Sequence, residues 1–120
     1  MLTGTHREIH ANVVNHGLID NLPQDAVVEV PARVDGDGVH PVAFGPVPEA
    51  GAALNRTHLS VARLAVEAAR TGDRDLVRQA VLLDPNASSS LTPPQIWQLC
   101  DDLTAAHAHL LPASLGGSRP

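Results

Sequence analysis

Tyrosine is absent from this chain, and Phe44 and Trp97 are its only aromatic residues. With so few rings the core must be packed from Ala, Val, Leu and Ile. Basic residues are also scarce: Lys and Arg number 8 against 13 Asp and Glu, a net charge of −5 with His neutral. That balance argues against a protein that tracks a phosphate backbone, which needs a basic face. A single cysteine, Cys100, excludes an internal disulfide and leaves no Cys-rich zinc motif. No apolar run approaches the roughly 18 residues of a membrane span. Met1 to His10 carries no apolar signal-peptide core. A soluble, cytoplasmic domain in a reducing compartment is the expectation, with neither nucleic acid nor membrane as a partner. At 120 residues the chain suffices for one domain, which buries roughly two-thirds of its unfolded surface.

Residues 1–24 read as irregular, with one short strand over Ala11 to Val14 before the turn residues Asn15-His16-Gly17. From Ala26 to Val34 apolar residues alternate. Val28, Val30, Ala32 and Val34 point to one face and Glu29, Pro31 and Arg33 to the other. Pro31 lacks a backbone donor, which favours an edge position. Asp35-Gly36-Asp37-Gly38 supplies a turn, and Val39 to Phe44 reads as the returning strand of a β-hairpin.

The period then becomes helical. Leu54, Val61, Leu64, Ala65 and Ala68 form one stripe, ended by Gly72 as a left-handed cap. Asp73 caps a second helix with the stripe Leu76, Ala80 and Leu83, stopped at Asp84-Pro85. Asn86 to Ser90 reads as a polar loop. A third helix opens on a capping box, Thr92 with Gln95, with Pro93 at its first position and Leu91 and Ile96 as a hydrophobic staple. Ile96, Leu99, Leu103, Ala106 and Leu110 carry it toward Pro112. The expected fold is α+β: a small antiparallel hairpin or sheet with about three helices over residues 1–112, and a disordered tail over 113–120.

Seven histidines invite a metal reading. His107 and His109 are two apart on a helix and face different ways. His6 and His10 are four apart, but their segment lacks helical periodicity and no HExxH glutamate accompanies them. Surface or loop roles suit both pairs better. No His is placed by spacing to activate Cys100, which reads as an inert buried thiol. The Asp35–Gly38 stretch lacks the spacing and closing Glu of a calcium loop. No Gly-x-Gly-x-x-Gly or Gly-Lys-Ser/Thr sequence offers a phosphate cradle. Asn55-Arg56-Thr57 is formally a glycosylation sequon, but it falls inside a helix. The stretch Asn12 to Pro23 is dense in side-chain amides, each able to donate to and accept from sugar hydroxyls. Asn and Gly also build turns, and composition leaves both readings open.

Asn12-Val13-Val14-Asn15-His16-Gly17-Leu18-Ile19-Asp20-Asn21-Leu22-Pro23 followed by Ala26-Val27-Val28-Glu29-Val30-Pro31 resembles the C-terminal part of glycoside hydrolase family 4. Gly38-Val39-His40-Pro41, Ala53-Leu54-Asn55-Arg56-Thr57, Leu64-Ala65-Val66-Glu67-Ala68-Ala69, Thr71-Gly72-Asp73 and Asp84-Pro85 follow in the family's order, over roughly residues 10 to 112. The wording of the Leu54 and Leu64 segments is most similar to the α-galactosidase branch. The resemblance implies the C-terminal fold of lactate and malate dehydrogenases. In the full-length family it also implies an N-terminal dinucleotide-binding domain, bound NAD and a divalent metal, typically manganese. Hydrolysis there proceeds by hydride abstraction at sugar C3, proton removal at C2 by a tyrosine, elimination, addition of water and return of the hydride.

This chain departs from that pattern. It has no glycine-rich loop and no tyrosine, and the family's metal-binding Cys and His lie N-terminal to the matched region. Cys100 in the last helix is not that ligand, Ala32 stands where a Cys is common, and Asn86 where a Leu usually follows Asp-Pro. No catalytic, cofactor-binding or metal-binding residue is assigned. The substrate-side candidates are Asn12, Asn15 and Asn21, with Gly17 permitting close approach. The reading is a C-terminal fragment or truncated paralogue of an α-galactosidase-like family 4 enzyme, catalytically silent alone. Its partner would be a further copy (a homo-oligomer) or an N-terminal catalytic half. The expected contact surface is the Val28–Val34 face with the Leu54–Ala68 helix, unless the helices close over that face. The alternative is a non-catalytic interaction module or an inactive remnant.

Overall fold

A computed structural model describes residues 7–117 of the chain. Its fold is α+β, divided after Arg56 into two compact units. In the first, β1 (Arg7–Val14), β2 (Val27–Val34) and β3 (Val39–Pro41) form one antiparallel sheet in the order β1-β2-β3. The alternation read from the sequence holds: Val28, Val30, Ala32 and Val34 are buried, while Val27, Glu29, Pro31 and Arg33 are exposed. The Val28–Val34 face is therefore covered and is not available as a contact surface.

Three strand expectations change. β1 extends back to Arg7, paired residue by residue with β2 from Arg7↔Val34 to Val14↔Val27. β2 is thus the central strand, not an edge. Pro31 is tolerated there because its carbonyl accepts the Val42 N–H at 2.8 Å, so its donorless nitrogen also turns toward β3. The ladder pairing ends one residue away at Ala32↔Pro41, which accounts for a β3 of only three residues instead of a strand reaching Phe44. The hairpin turn is as expected. The Asp35 N–H donates to the Gly38 carbonyl at 3.1 Å. The Asp35 carboxylate accepts from the N–H groups of Asp37 and Gly38 at 2.9 and 3.3 Å.

Helix α1 (Glu49–Thr71) begins in the first unit and runs into the second. There, α2 (Arg74–Leu83), α3 (Pro85–Ser88), α4 (Pro93–Ala106) and a 3₁₀ turn at Ala113–Leu115 follow. Gly72, at φ 75°, ends α1 in the left-handed conformation, its N–H on the Ala68 carbonyl at 2.8 Å. Asp73 caps α2 by accepting from the Asp75 N–H at 2.9 Å. The Gln95 side-chain oxygen accepts from both the N–H and the hydroxyl of Thr92 at 2.8 Å, opening α4. These boundaries were all legible.

The polar loop expected after Pro85 is instead one helical turn. The Asp84 carboxylate accepts from the Asn86 N–H at 3.0 Å and Pro85 sits at the first position, so a cap and a preset φ start it. Helix α4 stops at Ala106 rather than nearing Pro112: the N–H of His107 donates to the Leu103 carbonyl, and its ring nitrogen Nδ1 lies 3.0 Å from the same oxygen. The apolar stripes are covered only in part: Ala68 and Ile96 are buried and Val61, Leu64 and Leu99 half-buried, but other expected members are not. On α4 Ile96 and Cys100 are buried and Leu103 is exposed, and on α1 Ala52 and Ala68 are buried while Leu54 and Val66 are exposed. Residues 113–115 form the 3₁₀ turn where a disordered tail was expected; residues 118–120 lie outside the described part, as do Met1 to His6.

Candidate functional site

Between β1 and β2 the chain makes a compact loop whose centre is Asn15. This is the one buried polar residue described, with a relative exposure of 0%. Its amide nitrogen reaches the carbonyls of Ile19, Leu22 and Pro23 at 2.9, 3.1 and 3.1 Å, and its oxygen accepts the Ile19 N–H at 2.7 Å. A buried amide with both its donor and acceptor sides engaged stabilises the turn it sits in, since it answers the Ile19 N–H and the Leu22 carbonyl and adds to the N–H groups of Leu22 and Ala26 on the other two carbonyls. The loop neck is closed by the Asn15 N–H on the Ala26 carbonyl at 2.8 Å and the His16 N–H on the Gln24 carbonyl at 3.0 Å.

Asn21 performs a second task. Its amide donates to the Val47 carbonyl at 2.8 Å and accepts from the Val47 N–H at 3.1 Å. The segment after β3 is tied on as well, with the N–H groups of Phe44 and Gly45 on the Leu18 carbonyl at 2.7 and 3.2 Å. Arg56, on α1 and in the same unit, donates to the Asn21 carbonyl at 2.9 Å and pairs through its other nitrogen with Glu49. The loop is thus fixed from inside by Asn15 and from outside by Asn21 and Arg56.

Of the four residues singled out from the sequence, Asn15 and Asn21 therefore have their amides on backbone groups. Asn12 lies exposed on β1 opposite Glu29. Gly17 has φ 89°, and a β-carbon there would stand 3.7 Å from the Gln24 side-chain oxygen. The amides of Asn15 and Asn21 serve the turn; the exposed residues of the loop are His16, Asp20, Gln24 and Asp25, with Gly17 half-buried among them and Asn12 exposed on the adjoining strand. Sequence reasoning passed over Arg56, whose partner is a backbone carbonyl 35 residues away. Only its place in the Ala53–Thr57 motif marked it.

Elsewhere the chemistry is sparse. Among the described residues no three His, Cys, Asp or Glu side chains come together as a metal site requires. His10 and His109 are exposed, and His6 is outside the described residues. Manganese finds no donor set among the described residues, and the sequence has no glycine-rich turn to cradle the phosphates of NAD. Cys100 is buried, and burial pushes its thiol pKa up, the opposite of an activated nucleophile. No described helix is long and apolar enough to cross a membrane.

The model of the family 4 glycosyl hydrolase C-terminal domain matches residues 1–87. An α-galactosidase of Rhizobium meliloti is 44% identical over 110 residues, 92% of this chain and 22% of that protein. An α-galactosidase of Bacillus subtilis is 46% identical over 101 residues, 84% of this chain and 23% of that protein. Among solved structures, the 6-phospho-β-glucosidase of Thermotoga maritima, crystallised with manganese, NAD⁺ and glucose 6-phosphate, superposes with a TM-score of 0.77 at 25% identity. That match covers 88% of this chain and 25% of the other. The chain spans less than a quarter of the length of the curated relatives it matches. On the sheet, the Asn15 loop and these likenesses together, the chain belongs to the family 4 glycosyl hydrolases, as a C-terminal domain.

Proposed function

We propose that the chain is the substrate-side C-terminal part of a family 4 glycosidase that hydrolyses α-galactosides in the cytoplasm. The observation that carries this is the likeness to two α-galactosidases over most of its length. Supporting it is a loop whose buried amide and two outer clamps hold an exposed polar rim in one conformation, as a binding surface requires. The remainder of the enzyme would supply NAD and manganese, which carry the hydride and polarise the sugar oxygens. This part would position the loop and cover the site. Contacts between copies in a homo-oligomer belong to the same reading, with the exposed Leu54 and Val66 of α1 as the apolar groups offered.

The test is a graft: this chain replaces the matching segment of the Bacillus subtilis α-galactosidase. Release of nitrophenol from the α-galactoside, dependent on NAD and manganese, is the expected result, with the α-glucoside a poor substrate. NAD binding and a cooperative melt serve as controls for folding. A folded, NAD-binding graft without α-galactosidase turnover overturns the proposal. The 120-residue chain by itself is expected to show no turnover.

A further inference from the structure

His16 is the one non-glycine residue among those described with a positive φ, 39°. For an L-residue the left-handed conformation is unfavourable, and Gly is its default occupant. Such a residue persists where its surroundings over-determine it, and such sites concentrate where ligands are held. Here the surroundings are on view: Asn15 is locked by four hydrogen bonds on one side of His16, and Gly17, at φ 89°, follows on the other. The imidazole is exposed, and none of the bonds that hold the turn uses it. Gln24, whose carbonyl takes the His16 N–H, is also exposed, and its side-chain oxygen stands 3.7 Å from where a β-carbon on Gly17 would be.

We infer that the His16 imidazole and the Gln24 amide bind hydroxyl groups of a neutral hexopyranoside above Gly17, an inference that rests on the glycosidase reading. A neutral imidazole offers one donor and one acceptor and the amide two donors and an acceptor, which suits adjacent hydroxyls. Missing side-chain bulk at Gly17 lets the ring approach the backbone. Charge selects the class of sugar. The loop's own charged side chains are Asp20 and Asp25, and the Arg56 that clamps it at Asn21 is paired with Glu49, so the loop disfavours a phosphosugar or a uronic acid and admits an uncharged one.

The test is a nuclear magnetic resonance titration of the isotopically labelled 120-residue chain, with methyl α-galactopyranoside in one series and glucose 6-phosphate in another. Saturable shifts at the His16 ring and the Gly17 amide are expected with the galactoside, and at least about tenfold weaker ones with the phosphosugar. His16→Gly relieves the backbone, so it should melt no lower than the parent while losing about tenfold or more in affinity; Gln24→Ala should lose affinity without altering the turn. A merely structural His16 would give the opposite pair of results. No shift at His16 or Gly17 up to about 0.1 M galactoside overturns the inference, an affinity too weak to matter. Equal shifts with methyl α-glucopyranoside would leave the site standing and count against the α-galactoside reading alone.

Discussion

Asn21 and Val47, 26 residues apart, meet as a closed pair, side-chain amide to backbone amide at 2.8 and 3.1 Å. The pair substitutes for a strand ladder that β3 is too short to provide. Asn21→Ala leaves both Val47 groups and the loop without that tie. The expected loss is about 1–3 kcal/mol for partly buried, newly unpaired groups. Asn21→Asp keeps the acceptor and loses the donor, and should fall between. Urea unfolding of the three proteins checks the order.

Asn15→Ala should be the more damaging change. It takes their partner from the buried Ile19 N–H and Leu22 carbonyl, and leaves the Ile19 and Pro23 carbonyls with only the N–H groups of Leu22 and Ala26. Several kcal/mol are at stake, out of a total stability of roughly 5–15 kcal/mol. The measurement is hydrogen exchange: the Ile19 amide, protected in the parent, should exchange as freely as an open loop in the variant. A variant with parental stability and protection would mean that the Asn15 amide does not hold the turn.

The elements with local signals were legible in the sequence, and the site residues were only partly so. Alternation along Val28–Val34, the Gly72 stop, the Asp73 cap and the Thr92 box are each set within a few residues, and each is found. Pro31 misled because the edge rule considers its missing donor without knowing which neighbour that nitrogen faces; here it faces the end of the ladder. On α1 and α4 Ala68 and Ile96 are buried as spaced, but Leu54 and Leu103 are exposed, because a residue spaced for burial is buried only if something covers it. Asn15 and Asn21 were singled out for sugar hydroxyls, but their amides answer carbonyls at 19, 22, 23 and 47, and no spacing rule foretells that.

The β2–β3 turn should be acid-sensitive. The Asp35 carboxyl is held below its ordinary 3.8, first by the Asp37 N–H and then by His40, whose Nε2 is 3.0 Å away. A carboxylate with a depressed folded pKa contributes stability above its unfolded value and loses it as pH falls through the folded one. The turn should therefore be unchanged from neutrality to about pH 4 and loosen below that. Asp35→Asn keeps an acceptor oxygen and should remove the acid dependence. Following the Gly38 amide shift with pH reads both; a parent shift that stays flat below pH 3.8 would contradict the assignment.

Cys100 should react only when the fold opens. It lies on α4 one turn after Ile96, and the two are 6% and 0% exposed. Burial raises its pKa; Arg78 pulls it back down, and Asp101, paired with Arg78 at 2.8 Å, raises it again. Low access and a low thiolate fraction act in the same direction. Alkylation by iodoacetamide at pH 8 should be slower than in urea by about a hundredfold or more, and should accelerate with denaturant as opening becomes frequent. Cys100→Ala removes a small buried sulfur and should destabilise by about 1 kcal/mol, leaving the Thr104 hydroxyl on the Cys100 carbonyl at 2.7 Å untouched. Labelling at the rate of an unfolded thiol in native buffer would mean that the buried face of α4 is not where Ile96 and Cys100 place it.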